Sequence, residues 1–504
     1  MGTPWGQTCG QLFSTGTKTS VSWENIIHCL WRKESREHAP ELFADVPDAR
    51  RTPCAATGKR HNEYVPLTLP ADDRRILRLA VPAFGALVAE PLFLLTDTVI
   101  VGRLPAPALG ALGVAGTVLS ALVGLCVFLA YGTTASVARQ LGAGDRRRAL
   151  RQGVDGLWLA AGVGLVVIAV VWPLAPYLVH TLGAEGELAR QAAAYLRIGL
   201  LGVPSMLLVL AGTGVLRGMQ DTATPLLVSV GSFALNAVLN GVFVLVLDWG
   251  LTGSAWGTVA AQTVAAAVYL AMMFGRHRAP FRPDLSGIRA AGSAGAALVV
   301  RTLCLQAVLV IATAVATRMG GERLEAHTIV FRIWILLAFA LDAIAIAGQA
   351  ITGHALGAGD VAGTRAATRR MVAWGVGSGV VLGVLVVAAG PLMPALFDAD
   401  PAVAGELLPL LWTVALLQPV AGVVFVLDGV LIGAGDQTYL AWAGLWTTLA
   451  YLPAVLLVVV SGGGLVALWA ALGLWMAART VTLGLRARGD GWLVTGAGPG
   501  PGRV

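Results

Sequence analysis

The sequence predicts an all-α membrane protein with twelve transmembrane helices, arranged as two parallel six-helix repeats. Three observations support this prediction: an apolar composition, long uncharged runs, and an internal repeat with a constant offset. Hydrophobic residues make up 56% of the 504-residue chain and charged residues only 12%, and the mean hydropathy is +0.75. A water-soluble domain of this length would not have such a composition.

Uncharged runs of membrane-spanning length extend through most of the chain after residue 70. About 20 apolar residues cross a bilayer as a helix, so the longest runs hold two crossings, or one crossing and a loop. The runs are continuous in Leu, Val, Ala and Gly and lack the alternation of β-barrel strands. They comprise residues 104–138, 156–179, 198–216, 222–247, 249–275, 371–397, 407–427 and 437–478.

Residues 1–70 differ from the rest of the chain. They contain all three lysines of the protein and no apolar run long enough to cross a membrane. They also lack the apolar core of a secretory signal peptide. We therefore expect a disordered or spurious N-terminal extension, the latter being sequence upstream of the true start.

The remaining chain divides into twelve predicted helices. Their predicted ranges are 75–101, 107–136, 152–174, 190–216, 223–247, 251–275, 293–317, 325–352, 368–390, 405–432, 438–460 and 464–485. The first six form a predicted N-lobe over residues 71–275, and the last six form a predicted C-lobe over residues 293–485. A cytoplasmic linker is predicted at 276–292 and a cytoplasmic tail at 486–504.

Arginine-rich connections indicate the orientation in the membrane. They fall at 74–78, 139–151, 276–289 and 365–370 and at the pair Arg486 and Arg488, all on one predicted side. Loops on the other side carry fewer arginines and more acids. The positive-inside rule then places both termini in the cytoplasm. We expect a multi-pass protein of the plasma membrane.

The internal repeat has a constant offset of 215 residues. The pentapeptide Leu-Gly-Ala-Gly-Asp at 141–145 recurs at 356–360, Pro204 matches Pro419, and Gly214 matches Gly429. The repeated spacing is more informative than any single residue. Six helices followed by six in the same orientation predict a pseudo-two-fold axis along the membrane normal, with a cavity between or within the halves.

A buried acid in the first predicted helix is the leading candidate for function. Asp97 lies deep in the apolar segment 91–103, where an ionised carboxylate costs roughly 2.5–3.5 kcal/mol on insertion scales. Glu90 lies seven residues earlier on the same helical face, and the following Pro91 lacks an amide hydrogen and loosens the helix. We expect both acids on one wall of a polar site, although Glu90 could instead pair with an arginine or with carbonyls that Pro91 frees.

Taken together, the motifs resemble those of the multidrug and toxic compound extrusion (MATE) family, and within it the DinF-like branch. The resemblance covers about residues 75–485. It is carried by the first-helix motif Glu90-Pro91 with Leu-Thr-Asp-Thr at 95–98, by the two Leu-Gly-Ala-Gly-Asp loops, and by the segments 342–350 and 428–434.

The resemblance implies a V-shaped pair of lobes that face the two sides of the membrane in turn. Such proteins export organic, often cationic, compounds in exchange for H⁺ or Na⁺. In archaeal and DinF-like members the N-lobe site combines the first-helix Asp with partners on helices five and six, which here are Asp97, Asn236, Asn240 and Thr258. Two positions depart from the pattern, since Asn240 stands where an Asp is often found and Phe93 where a Tyr is found.

A single carboxylate can couple two binding events. Burial disfavours its charged form, whereas an amide donor or a bound cation favours that form. If Asp97 binds either a proton or a cation, the two are mutually exclusive, and this exclusion is the coupling. Asn236 and Asn240 share a helix face and, with Thr258, supply amide and hydroxyl groups. A satisfied interhelical hydrogen-bond cluster is the alternative explanation of these residues.

Two further acids, Asp342 and Asp428, are secondary candidates in the second half. Neither has an acidic repeat mate, since Val127 and Thr213 occupy the equivalent positions. This asymmetry favours an ion-binding or gating role, but an Asp–Arg pair that holds the lobe together is equally economical. Polar residues on neighbouring predicted helices are Arg301, Gln306 and Arg332.

Other function classes fit the sequence less well. A lipid-linked-precursor flippase of the same superfamily would have more spans and a more cationic cavity, and a major facilitator transporter would have a glycine between the basic residues of its loop motif. The sequence has no nucleotide-binding loop, HExxH motif or catalytic triad, so an enzyme is not expected. No cofactor or metal is expected beyond H⁺ or Na⁺ as coupling ion. The expected partners are small organic substrates and the lipid bilayer, with no nucleic acid, and the chain is expected to act as a monomer.

Overall fold

The computed structural model describes residues 71–105 and 107–497. Within them it contains no strand and twelve helices that are long and apolar enough to cross a membrane. Numbered α1 to α12 in chain order, these helices are Asp72–Val101, Ala108–Gly142, Arg146–Thr181, Gly186–Gly218, Ala223–Val246, Gly250–Arg276, Leu285–Arg318, Gly321–Gly357, Val361–Leu396, Pro401–Gly433, Gln437–Val460 and Leu465–Arg488. The predicted all-α membrane fold is confirmed. The predicted extension at 1–70 lies outside the described residues.

Several helices begin earlier than predicted because aspartates cap them. Helix α3 begins at Arg146, and the Asp145 carboxylate accepts a hydrogen bond from the backbone N–H of Arg148 at 2.9 Å. Helix α7 begins at Leu285, and Asp284 accepts one from the backbone N–H of Ser286 at 3.0 Å. Such caps satisfy amides that have no partner within the helix. Eight residues of the predicted linker 276–292 therefore belong to α7.

The 215-residue repeat is visible in the packing inside each half. A Cβ added at Gly214 would lie 2.4 Å from the carbonyl oxygen of Ala130, and one at Gly429 would lie 2.4 Å from that of Ala345. Ala130 and Ala345 are themselves 215 residues apart. In each half, therefore, the second and fourth helices approach so closely that only glycine fits between them.

The two halves meet at the loops that carry the repeated pentapeptide. A Cβ on Gly142 would lie 1.9 Å from the carbonyl oxygen of His354, and one on Gly357 would lie 2.0 Å from that of Arg139. These four residues are two pairs of repeat mates. The two contacts are thus exchanged by the pseudo-two-fold axis that the sequence predicts.

Helix α1 connects the two apolar cores. Ile76 and Leu79 in its first turns belong to the core built mainly by α7–α12, whereas Val101 at its other end belongs to the core built mainly by α2–α6. The Asp73 carboxylate reinforces the first contact by accepting hydrogen bonds from Arg370 Nε at 2.6 Å and Trp374 Nε1 at 2.8 Å, both on α9. The first turns of α1 are thereby held against the second half.

The chain after α12 also joins the two halves. Arg139 at the end of α2 donates from Nε to the carbonyl oxygen of Gly496 at 2.9 Å and from Nη1 to that of Ala434 at 2.8 Å. The Gly496 N–H donates to the carbonyl oxygen of Leu356 at 3.1 Å, and Trp492 is buried in the second-half core. These contacts close the cleft between the halves at the arginine-rich end.

Candidate functional site

The first candidate site surrounds Asp97 on α1. Its side chain is only 4% exposed, and one carboxylate oxygen accepts a hydrogen bond from the Asn240 amide. Helices α1 and α5 pack directly on each other, as do α5 and α6. The acid predicted from sequence therefore lies inside the helix bundle and faces α5.

A chain of hydrogen bonds continues from Asp97 to α6. The Asn240 amide also lies 3.3 Å from Asn236 Oδ1, and the Asn236 amide donates to Thr258 Oγ1 at 3.1 Å. All three residues are buried. The structure thus brings together Asp97, Asn236, Asn240 and Thr258, the four residues that the family resemblance implies. Their assignment as a coupling site stays a prediction.

Local backbone features explain how α5 and α6 come so close. A Cβ on Gly257 would lie 1.9 Å from Asn240 Oδ1, so only glycine leaves room for the Asn240 side chain. Directly after Asn240 the helix widens into a π-helical turn, Gly241–Val246. Such turns occur frequently at functional sites. The position of Asn240 therefore depends on backbone geometry as well as on its own side chain.

Tyr195 of α4 is a site residue that the sequence analysis missed. It is buried, and its phenol interacts with Ser254 and Thr258 and with the charge of Asp97. A tyrosine inside the predicted span 190–216 was the only available signal. The tyrosine expected from the family at position 93 is absent, but this phenol from another helix reaches the same group of residues.

The polar groups around Asp97 are almost all neutral oxygen and nitrogen atoms. None of the described basic side chains forms an ion pair with this carboxylate. Asn240 Oδ1 is buried and has no hydrogen-bond partner, although buried acceptors are normally satisfied. The site therefore offers three kinds of oxygen atom: a carboxylate, an unpartnered amide oxygen and a hydroxyl. Such oxygen atoms can accept a hydrogen bond from a proton donor or coordinate a small monovalent cation.

Two other predicted residues contribute less to this geometry. The side chain of Glu90 lies outside what the structure describes, so its role stays a prediction. Phe93 is half-buried and packs on Phe233 of α5, with ring centroids 5.2 Å apart. This contact holds α1 against α5 one turn from Asp97.

Asp428 of α10 has entirely different surroundings. It is 6% exposed, and its carboxylate forms ion pairs with Arg301 of α7 and with Arg479 of α12, the latter at 2.6 Å. The sequence left two explanations open for this acid, an ion-binding or gating role and an Asp–Arg pair that holds the lobe together. The structure shows that Asp428 forms Asp–Arg pairs. Arg479 was not predicted, because nothing in the sequence indicates that α12 faces α10 at this position.

Asp342 of α8 lies between the two halves. It is half-buried and interacts electrostatically with Arg217 of α4, Arg301 of α7 and Tyr131 of α2. Gln306 and Arg332, the other predicted neighbours, are exposed. Asp342 therefore belongs to a mixed-charge cluster that includes residues of both halves.

Comparison with known proteins agrees with this fold. DETOXIFICATION 44, a chloroplastic protein of Arabidopsis thaliana, is 28% identical over 476 residues, which cover 91% of each chain. DNA damage-inducible protein F of Escherichia coli is 30% identical over 442 residues, covering 82% of this chain and 92% of the relative. A solved structure of a MOP superfamily transporter from Pyrococcus furiosus superposes with a TM-score of 0.76 at 22% identity, over 83% of this chain and 95% of that one.

The family model named MatE matches residues 82–242 and again residues 297–457. The second match begins and ends 215 residues after the first, which is the offset found in the sequence and in the packing. Together the two matches cover more than half of the chain. The chain therefore belongs to the MatE family of membrane transporters.

Proposed function

We propose that this protein is a secondary active antiporter that exports organic, often cationic, compounds in exchange for H⁺ or Na⁺. The observation that carries the proposal is the state of Asp97, a buried carboxylate held by a neutral amide and by no basic side chain of the described chain. The family's name, and the name of the Arabidopsis relative, favour organic compounds as cargo.

Asp97 lies in the low-dielectric interior of the helix bundle, where an unpaired charge is costly. An ionised carboxylate at this depth costs roughly 2.5–3.5 kcal/mol on insertion scales. Its partners Asn240 and Thr258 are neutral groups, which stabilise the charge by hydrogen bonds but do not cancel it. The remaining charge is best neutralised by something that binds. A proton and a cation can each do this, but not at the same time, so binding of one releases the other.

The neighbours of Asp97 fit both ligands. The unpartnered Asn240 Oδ1 and the Thr258 hydroxyl can coordinate Na⁺ or accept from an ammonium group. When Asp97 is protonated, Asn240 Oδ1 becomes a natural acceptor for the new O–H donor. One polar site therefore serves two alternative occupants.

Alternating access follows from the two-fold arrangement of the halves. In this structure they are joined at the arginine-rich end by Gly142, Gly357 and Arg139. The positive-inside rule indicates that the arginine-rich end is cytoplasmic. We propose that the protein lies in the plasma membrane with both termini in the cytoplasm. This conformation is then closed to the cytoplasm. We propose that a single chain carries out the exchange.

The test is efflux from proteoliposomes with imposed gradients. The native chain, Asp97→Asn and Thr98→Val are reconstituted with a fluorescent organic cation, and proton and sodium gradients are applied separately. Thr98 is the matched control because its hydroxyl bonds only to its own helix, at Leu94 O. We expect gradient-driven efflux to disappear in Asp97→Asn and to persist in Thr98→Val. Undiminished efflux by inserted Asp97→Asn protein would refute the proposal.

A further inference from the structure

A groove on the outside of the second half is lined by arginines and apolar side chains. Helices α9 and α12 both pack on α10, and between them lies a cavity of about 660 Å³. Arg365 and Arg369 of α9 and Arg488 of α12 line it at one end, while Val372, Val481 and Leu485 line its wall. The transport site around Asp97 lies in the other half, so this cavity has no part in the proposed exchange.

The arginines of the groove differ from their neighbours in charge pairing. On α9, Arg370 is paired with Asp73, and on α12, Arg486 is paired with Asp436 at 2.7 Å. Arg365 is paired with Asp490, a highly exposed residue. By contrast, Arg369 and Arg488 are exposed and have no ion pair or hydrogen bond within residues 71–105 and 107–497. The groove therefore presents uncompensated positive charge.

The position of the charge relative to the apolar wall indicates the ligand. The arginines lie in the first turns of α9 and at the end of α12, at the same end as the other arginine-rich segments, where the headgroup layer is expected. Val481 and Leu485 lie farther into the membrane span and are 58% and 62% exposed. A ligand that fills the groove must be anionic at one end and apolar along the rest.

The chain after α12 forms the outer rim of the groove. Trp492 lines the cavity, is itself buried, and donates from Nε1 to the carbonyl oxygen of Ala487 at 3.2 Å. Tryptophan is characteristic of the level where headgroups meet acyl chains. The rim thus closes the groove on the aqueous side and leaves it open towards the bilayer.

We propose that this groove is a binding site for an acidic phospholipid, with the headgroup phosphate between Arg369 and Arg488 and an acyl chain along Val481 and Leu485. Basic pockets between membrane helices are known to hold acidic headgroups. A free phosphate would use the arginines but not the apolar wall, and a soluble partner could not reach a wall that faces the bilayer.

The experiment measures lipid binding to the full chain in detergent by native mass spectrometry. Dioleoylphosphatidylglycerol and dioleoylphosphatidylcholine are titrated separately, and inorganic phosphate is added as a competitor. The variants are the double substitution Arg369→Gln with Arg488→Gln, and Gly484→Leu. Gly484 lines the cavity and a Cβ there would meet no atom within 4 Å, so leucine fills the groove without disturbing the fold. Arg289→Gln is the control, because Arg289 is exposed on α7 and lies outside the cavity.

We expect the native chain to bind phosphatidylglycerol more tightly than phosphatidylcholine. The double variant should bind phosphatidylglycerol about 25-fold more weakly, taking about a fivefold loss for each arginine. Gly484→Leu should weaken both lipids, and Arg289→Gln should leave both unchanged. Equal binding of the two lipids by the native chain, or a double variant that matches Arg289→Gln, would overturn the proposal. Competition by inorganic phosphate at concentrations similar to the lipid would overturn it in favour of an ordinary phosphate site.

Discussion

Two buried carboxylates of this protein have nearly the same burial and opposite kinds of partner. Asp97 is 4% exposed and Asp428 is 6% exposed. Asp97 accepts a hydrogen bond from a neutral amide, whereas Asp428 is bound by the two guanidinium groups of Arg301 and Arg479. The protein itself neutralises Asp428, whereas no described basic side chain forms an ion pair with Asp97. Under the proposed function, the charge of the partner, more than the depth of burial, distinguishes the coupling residue Asp97 from Asp428.

The two halves share their helix packing but not the polar residues at equivalent positions of the repeat. The residue 215 positions after Asp97 is Ala312, a core residue, and the residue 215 positions before Asp428 is Thr213, whose hydroxyl lies 2.8 Å from that of Tyr269. The glycine contacts of Gly214 and Gly429, by contrast, are the same in both halves. The repeat therefore determines how the helices pack, while the polar chemistry differs between the halves.

The largest effect is expected from giving Asp97 the kind of partner that Asp428 has. Asn240→Lys places an ammonium group on the residue that now donates an amide to Asp97. Because separating a buried ion pair costs about 3–5 kcal/mol, the carboxylate should no longer exchange ligands, and gradient-driven efflux should fall by roughly 100-fold or more. Efflux from proteoliposomes under an imposed gradient measures this.

Asn240→Met is the matched control for that substitution. It is uncharged and similar in length to the lysine stem, and it removes the amide without neutralising Asp97. We expect it to keep a measurable fraction of native efflux. If both variants lose activity equally, the amide itself is essential and the charge argument is wrong.

The second prediction concerns stability rather than transport. Asp428→Asn removes the ion-pair partner of the half-buried Arg301 and the buried Arg479, which should destabilise the fold by about 3–5 kcal/mol. The triple variant Arg301→Met, Asp428→Leu and Arg479→Met removes all three charges together and should recover most of that loss. Thermal unfolding in detergent, followed for both variants, measures the effect. A stable triple variant that has lost efflux would show that the Asp428 cluster acts in transport as well as in stability.

A third, smaller effect is expected from the close approach of α5 and α6. Gly257→Ala adds a Cβ that would lie 1.9 Å from Asn240 Oδ1, so the Asn240 side chain must leave the position in which it donates to Asp97. Overpacking of this kind costs about 1–3 kcal/mol, which corresponds to a loss of roughly 5-fold or more in efflux. The control is Gly231→Ala on α5, where a Cβ would meet no atom within 4 Å. Equal efflux by the two variants would mean that Asn240 does not need its observed position.

Much of this fold could be predicted from the sequence because its causes are local or repeated. Apolar runs long enough to span the bilayer predicted twelve helices, and the recurring glycines predicted the two-fold arrangement of the halves. The first residues of α3 and α7 were less predictable, because N-terminal capping by Asp145 and Asp284 extends each helix into polar sequence.

The site was only partly predictable, for a physical reason. Asp97 stood out because a single charge in an apolar run is costly wherever it points. Tyr195 and Arg479 did not, because their importance comes from which helix they face. The contacts of Arg139 were also beyond prediction, since they are made to the backbone carbonyls of Ala434 and Gly496, which no side-chain pattern reveals.

The smallest predicted effect is expected at Asn236, the next residue after Asn240 in the hydrogen-bond chain that begins at Asp97. Asn236→Ala removes the donor to Thr258 Oγ1 and the oxygen that faces the Asn240 amide. A net hydrogen bond contributes about 0.5–1.5 kcal/mol, so the apparent affinity for the coupling ion should fall by roughly 2- to 10-fold. The dependence of efflux rate on proton or sodium concentration measures this affinity.

Ser232→Ala separates a coupling role of Asn236 from a purely structural one. Ser232 lies one turn earlier on α5, and its hydroxyl also reaches α6, at the carbonyl oxygen of Ala261 3.4 Å away. Both substitutions remove a polar contact between the same two helices, so both should lower thermal stability slightly. Only Asn236→Ala should change the ion dependence, because only Asn236 contacts the residue that holds Asp97. If the two variants differ from the native chain in stability alone, Asn236 and Thr258 belong to a structural hydrogen-bond cluster, and the coupling site contracts to Asp97 and Asn240.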